Sequence, residues 1–141
     1  MRIMAIDYGD AHTGIAISDP TGFLTGVSTT IHAYRPEAVA EQVAALAREY
    51  GVEELVLGYP KNMDGSLGPR AEKAASMADL LREVTALPVT LWDERRTTID
   101  AHQILMNNGK NAKKRKKTVD AVAASLILEG YLTYKKSQSG F

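Results

Sequence analysis

The spacing of apolar residues changes once along the chain, at Pro36. Before it, RIMAI (2–6) and TGIAISD (13–19) are short β-type runs around a glycine-containing turn, the pattern of a hairpin. LTGVSTTIH (24–32) follows the Pro20–Gly22 turn and reads as a third strand. After Pro36, Val39, Val43, Leu46, Ala47 and Tyr50 recur at helical spacing, predicting an amphipathic helix opened by proline and stopped by Gly51. ELVLGY (54–59) is a buried-type strand, and the irregular PKNMDGSLG (60–68) follows it. Pro69 suits the first turn of a second helix with Ala74, Met77, Ala78, Leu81 and Val84 on one side. PVTLWDE (88–94) is a fifth strand, and Thr97 with Asp100 forms a capping-box pattern for a helix to about Met106. The basic stretch 110–117 is expected to interrupt the helices, with Thr118 starting a last one whose Val119, Val122, Ala123 and Leu126 face inward. One domain over residues 1–135 and a short tail over 136–141 are the expected organisation.

Three meandering strands followed by helix–strand alternation imply antiparallel pairing first and parallel pairing after, because parallel strands need crossover connections. The expected class is α/β, a five-stranded mixed sheet flanked by helices, in the element order of ribonuclease H-like folds. In open α/β sheets the functional crevice lies outside the carboxyl ends of the strands. Asp7, Asp93 and Glu94 stand at such ends.

Composition narrows the class without naming a function. The chain has 141 residues, 45% hydrophobic and 24% charged, as expected of a soluble globular domain with a real core. It has no cysteine, which excludes disulfides, thiolate metal sites and a cysteine nucleophile, and suits the cytoplasm. The apolar stretch after Arg2 is too short for a secretory signal, and no run approaches a membrane span of about 20 residues. A cytoplasmic protein with no membrane partner is expected. The net charge of zero conceals a segregation. KNAKKRKK (110–117) holds six of the 17 basic residues and no acid, so the other 11 face all 17 acids and the remainder of the chain stands at −6. One part of the molecule can attract polyanions although the whole is neutral.

Three acidic positions are candidates for chemistry. Asp7 in DYG ends a central strand, and Gly9 lets the backbone turn closely beside whatever binds there; the plainer alternative is an Asp capping turn amides. In WDERRTT (92–98), Asp93 and Glu94 can hold a hard divalent ion and Arg95 and Arg96 can contact phosphate bidentately. Acids near a helix N-terminus with solvated arginines would look the same. Asp120, two residues after Thr118, suits a first helical turn on dipole grounds alone, and lies near the border of the inward face. Three acids from separate elements are what a one- or two-metal phosphodiesterase site requires, with Mg²⁺ or Mn²⁺ bound through carboxylates and substrate phosphate. His12, His32 and His102 have no short metal-binding spacing, which argues against zinc. GYPKNMDGSLGPR (58–70) reads as a glycine-hinged loop whose Lys61 and Arg70 reach phosphates, without the Gly-Lys-Ser/Thr of a P-loop. Lys113, Lys114, Arg115, Lys116 and Lys117 would concentrate nucleic acid through counterion release, although such runs are often simply solvated.

DYGDAHTGIAISD, LGYPKNMDGS with Arg70 and Ala71, and DERRTT with VDAVAASLILEGYL together resemble the YqgF/RuvX family, the Holliday-junction resolvases also described as pre-16S rRNA nucleases. The blocks fall in the family's order over nearly the whole chain. The resemblance implies a ribonuclease H-like fold, a divalent metal, and a catalytic, metal-binding trio of Asp7, Glu94 and Asp120, with Asp93 as an alternative ligand. Adjacent strand residues point to opposite faces, so only one of Asp93 and Glu94 can share a site with Asp7. Two departures stand out: the family usually has Arg where this chain has His12, and Leu where it has Arg96. A phosphate contact made by His12 would depend on pH, since imidazole changes charge near pH 6.5.

The expected function is a metal-dependent endonuclease on structured nucleic acid, processing the 5′ end of pre-16S rRNA in ribosome biogenesis. The alternatives are a Holliday-junction resolvase in DNA recombination and a non-catalytic RNA-binding assembly factor. A nucleotide-binding domain of the actin and sugar-kinase type shares the Asp-x-Gly opening, but 141 residues leave no room for its second lobe. The expected partner is nucleic acid, an rRNA precursor or branched DNA, for a monomer or homodimer.

Overall fold

The computed structural model describes residues 1–22, 25–60, 64–93 and 112–138, with side chains over the same residues apart from 112–121 and 138. The strands are β1 (Arg2–Asp7), β2 (His12–Ser18), β3 (Thr25–His32), β4 (Val52–Tyr59) and β5 (Val89–Asp93). The helices are α1 (Pro36–Tyr50), α2 (Pro69–Thr85) and α3 (Ala112–Gln138). All five strands form one sheet in the order β3-β2-β1-β4-β5. The β1–β2 and β2–β3 pairs are antiparallel, and β1–β4 and β4–β5 are parallel, as the change of spacing at Pro36 implies. The Thr97–Met106 helix expected from the sequence lies outside the described residues.

β1 is central, and its Ile3–Ile6 are all buried because helices cover both faces. Met4 and Ile6, with Ile15, Ile17, Ile31, Leu55 and Leu57, pack against Val39, Val43 and Ala47 of α1 and Ala74, Met77 and Leu81 of α2. The alternate residues Ile3, Ala5, Ala16, Val56 and Trp92 pack against Ala124, Ile127, Leu128, Tyr131 and Leu132 of α3. Two dry layers therefore sandwich the sheet, and strand parity decides which layer each residue joins. α1 opens with proline in its first turn and ends at Gly51, whose φ of 65° is left-handed and whose N–H donates to the Ala47 and Arg48 carbonyls. Arg2 adds a second cap there, Nη1 donating to the Tyr50 carbonyl at 2.7 Å.

Three expectations are corrected. α3 begins at Ala112, so the basic stretch is largely helical rather than an interruption. Alanine, lysine and arginine are all good helix formers, and no proline or glycine lies between Ala112 and Thr118. The inward stripe of α3 is Ala124, Ile127, Leu128 and Tyr131, while Val122, Ala123 and Leu126 are only half-buried. The segment is apolar on more than one side, so spacing alone cannot choose between overlapping stripes. Val84 of α2 is 42% exposed, because the inward face ends at Leu81.

The 27 residues of α3 make a helix about 40 Å long. The sheet is only about 19 Å across its five strands, and its eight-residue strands are about 27 Å long. The helix outruns the sheet in either direction. Among the described residues, no helix is long and apolar enough to cross a membrane.

Candidate functional site

The chain turns from β1 into β2 at the carboxyl edge of the sheet, and this turn is tightly closed. A Cβ on Gly9 would stand 2.3 Å from the His12 carbonyl oxygen, so no other residue fits without moving backbone. The turn holds Asp7 at the end of β1, where it pairs with Gly14 of β2 and is half-buried. Strand parity puts Asp7 on the face of Ile3 and Ala5, beneath α3.

The same parity separates Asp93 from it. Asp93 ends β5 opposite Tyr59, on the face that carries Leu91 and Tyr59 against the α1–α2 layer. Asp93 and Asp7 thus share an edge but not a face. Glu94, Arg95, Arg96 and Lys61 lie outside the described residues. Position 120 lies in α3 one turn before Ala124. Lys113, Lys114, Arg115, Lys116 and Lys117 occupy the first turns of the same helix. Arg70 is exposed in the first turn of α2, at the carboxyl edge but in the opposite layer. Among the described residues, no group of three or more His, Cys, Asp or Glu converges on one point.

His12 and His32 face each other across β2 and β3, with Nδ1 atoms 3.1 Å apart and rings edge to face at 4.9 Å. Parity puts both on the α3 face, with Asp7. His32 was not among the residues singled out from the sequence, where it lies 20 residues from His12. The β2–β3 register pairs the two histidines, but it shifts between Ile17 and Ser18, so counting back from the turn would have set His12 against Ile31 instead.

On the opposite face a groove of about 640 Å³ opens between the first turns of α1 and α2, lined by Tyr8, Tyr34, Pro36, Pro69, Lys73 and Met77 among others. Lys73 donates to Asp10 across its rim at 3.0 Å. Burial, and then the nearby Asp10 charge, push the Tyr8 hydroxyl above its ordinary pKa. This groove is on the wrong side of the sheet to serve Asp7.

Asp7 fits a hard cation as an oxygen donor at a strand end, on the face covered by α3, the helix in which position 120 lies. With no cysteine in the chain, magnesium or manganese suits this donor set better than a soft metal.

Comparison with known proteins places the chain in a family. The family model described as RuvX, Holliday junction resolvase, matches residues 1–134. A protein of Halothermothrix orenii named "Putative pre-16S rRNA nuclease" is 46% identical over 140 residues, covering 99% of this chain and 100% of its own. Among solved structures, Thermus thermophilus RuvC in complex with Holliday junction substrate superposes with a TM-score of 0.65 at 14% identity, over 97% of this chain and 96% of that one. The Fowlpox virus resolvase, solved with Holliday junction DNA, gives 0.54 at 12% identity over 100% and 99%. These two likenesses establish the fold, which is ribonuclease H-like.

Proposed function

We propose, since this chain belongs to the RuvX family of Holliday junction resolvases, that it is a divalent-metal-dependent nuclease that cuts structured nucleic acid, with the 5′ region of pre-16S rRNA as substrate. The observation that carries the reading is Asp7: a carboxylate fixed at the carboxyl end of the central strand, on the face covered by α3. The relative matched over its entire length favours RNA over a DNA junction.

In this reading Asp7 and Glu94 hold the metal, and Asp120 completes its coordination or orients the attacking water. The placement of Asp93 on the α1–α2 face supports Glu94 over Asp93 as the partner. The bound metal supplies charge that lowers the pKa of water and stabilises the leaving oxygen. Lys61, Arg70, Arg95, Arg96 and the basic first turns of α3 hold phosphates of the backbone, which fixes the strand across the edge without reading its bases.

The test is cleavage of end-labelled pre-16S leader RNA and a four-way DNA junction, side by side, with Mg²⁺ or Mn²⁺. Asp7→Asn removes a direct ligand, so cleavage should fall by at least about a hundredfold, more than loss of a group that merely supports a ligand. Folding and nucleic-acid binding should persist. Products that vanish in Asp7→Asn and in EDTA establish the nuclease, and the substrate cut decides between RNA and junction. Cleavage by Asp7→Asn at the wild-type rate overturns the site. Salt-sensitive binding with no product from either substrate leaves a non-catalytic RNA-binding factor.

A further inference from the structure

The His12–His32 pair is held by the sheet rather than by chance contact of two surface side chains. Ala33 N–H donates to the Ala11 carbonyl at 3.2 Å on the neighbouring rung. Rungs alternate in an antiparallel ladder, so His12/His32 is the non-hydrogen-bonded kind, where facing side chains come closest. At 3.1 Å between Nδ1 atoms, two lone pairs would repel and two protons would collide, so one proton lies between them.

The number of protons then fixes what the pair presents outward. In the neutral pair, one ring offers an Nε2–H and the other a bare Nε2 acceptor. Adding one proton gives both Nε2 atoms an N–H, leaves the Nδ1–H···Nδ1 bond intact, and puts a single positive charge on the pair. A second proton would break that bond and set like charges about 3 Å apart, which the ordinary repulsion of neighbouring cations opposes. One charge with two outward donors is the complement that suits a phosphate group.

We infer that the His12–His32 pair, carrying one added proton, is a phosphate contact for the nucleic-acid backbone beside the cleavage edge. The inference rests on the proposed function for the identity of its ligand. Its location follows from the sheet: His12 lies two residues along β2 from Gly14, the partner of Asp7, a diagonal of about 7–8 Å on one face. The site admits a polyanion because His32 is exposed on the edge strand β3. The charged groups described on the neighbouring elements are Asp7 on β1 and Asp10 in the β1–β2 turn, where Lys73 engages it; positions 113–117 and 120 lie in the first turns of α3, the helix that covers this face. They set a constant background in the variants below, which change only the two histidines.

The experiment is equilibrium binding of labelled pre-16S leader RNA and, in parallel, of a labelled four-way DNA junction to the full chain, in EDTA, from pH 5.5 to 8.5 at several salt concentrations, read on whichever of the two binds. Wild type should bind about tenfold more tightly at pH 5.5 than at pH 8, the size of one charge-assisted hydrogen-bonded contact. The slope of log affinity against log salt should steepen by about 0.9 over the same range, one more phosphate neutralised. His12→Ala and His32→Ala should each weaken both trends, since the lone imidazole left behind offers one outward donor in place of two, and the double alanine variant should abolish them. His32→Gln keeps the side-chain volume and should weaken them as His32→Ala does, guarding against misfolding of the alanine variant. His12→Arg should bind with weaker pH dependence from this site. A pH trend and salt slope in His32→Ala and His32→Gln equal to wild type overturns the inference, whether or not the protein cleaves. The paired loss in a protein that cuts nothing would uphold the contact while the nuclease reading failed.

Discussion

Gly9 sets the tolerance of the whole carboxyl edge, since one added methyl would strike the His12 carbonyl oxygen at 2.3 Å. The obstacle is backbone, which cannot swing aside as a long side chain can. Gly9→Ala should therefore destabilise the protein by about 1–3 kcal/mol. Denaturant unfolding would show this as a lower midpoint with an unchanged slope, and cleavage should fall further than stability, because Asp7 and His12 flank the displaced turn. Asp7 itself was legible in the sequence, since an acid after a four-residue apolar run and before a tight turn has few other places to be. The period of two along a strand also foretells that Asp93 lies on the other face of the sheet from Asp7. His32 was not legible. Its partner is chosen by a register that residue types alone do not reveal, and an isolated histidine near a strand end looks like any solvated one.

At the scale of elements, the informative contrast is between α1 and α3. α1 announces both ends, with proline in its first turn and glycine in the left-handed position after its last. α3 begins inside a run of cations that reads as a loop, and its apolar residues surround the axis too fully to mark one face. The choice of stripe is made by Tyr131, which reaches over β4 and β5 at once. Its hydroxyl donates to the Glu54 carboxylate and lies 3.4 Å from Thr90, while Lys135 donates to the other Glu54 oxygen at 2.7 Å. Glu54 is buried, so these partners are what make its charge tolerable. Burial, and then the bond to Glu54, push the Tyr131 hydroxyl up to about 12. The folded protein thus holds that proton more tightly than the unfolded chain does, for which tyrosine titrates near 10. The resulting stabilisation is complete below about pH 10 and is lost as pH rises toward 12. Tyr131→Phe should lower stability at neutral pH by about 1–3 kcal/mol, the cost of leaving a buried acceptor short of a donor. It should also remove this residue's share of the alkaline loss, so the wild-type and mutant melting temperatures converge between pH 10 and 12.

For the whole molecule, the strand order and the two-layer core follow from the switch of apolar spacing at Pro36 and from right-handed, short connections. What could not be read was length: where α3 begins, and hence how far it outruns the sheet. That overreach has a thermodynamic consequence. Packing supports a helix only where there is a sheet beneath it, and the rest stands on local propensity, which is marginal for a few turns in water. The first turns of α3 carry Lys113, Lys114, Arg115, Lys116 and Lys117 and no acid, five cations at the positive end of the helix dipole. The chain holds these charges in the arrangement that most weakens its own helix and that a polyanion would relieve. Loading the protein with nucleic acid at low salt should therefore deepen the far-ultraviolet helical signal by the equivalent of several residues, and high salt should abolish the gain. The energy that binding returns would be partly spent as order, so the affinity of this end is tuned by how readily one helix winds.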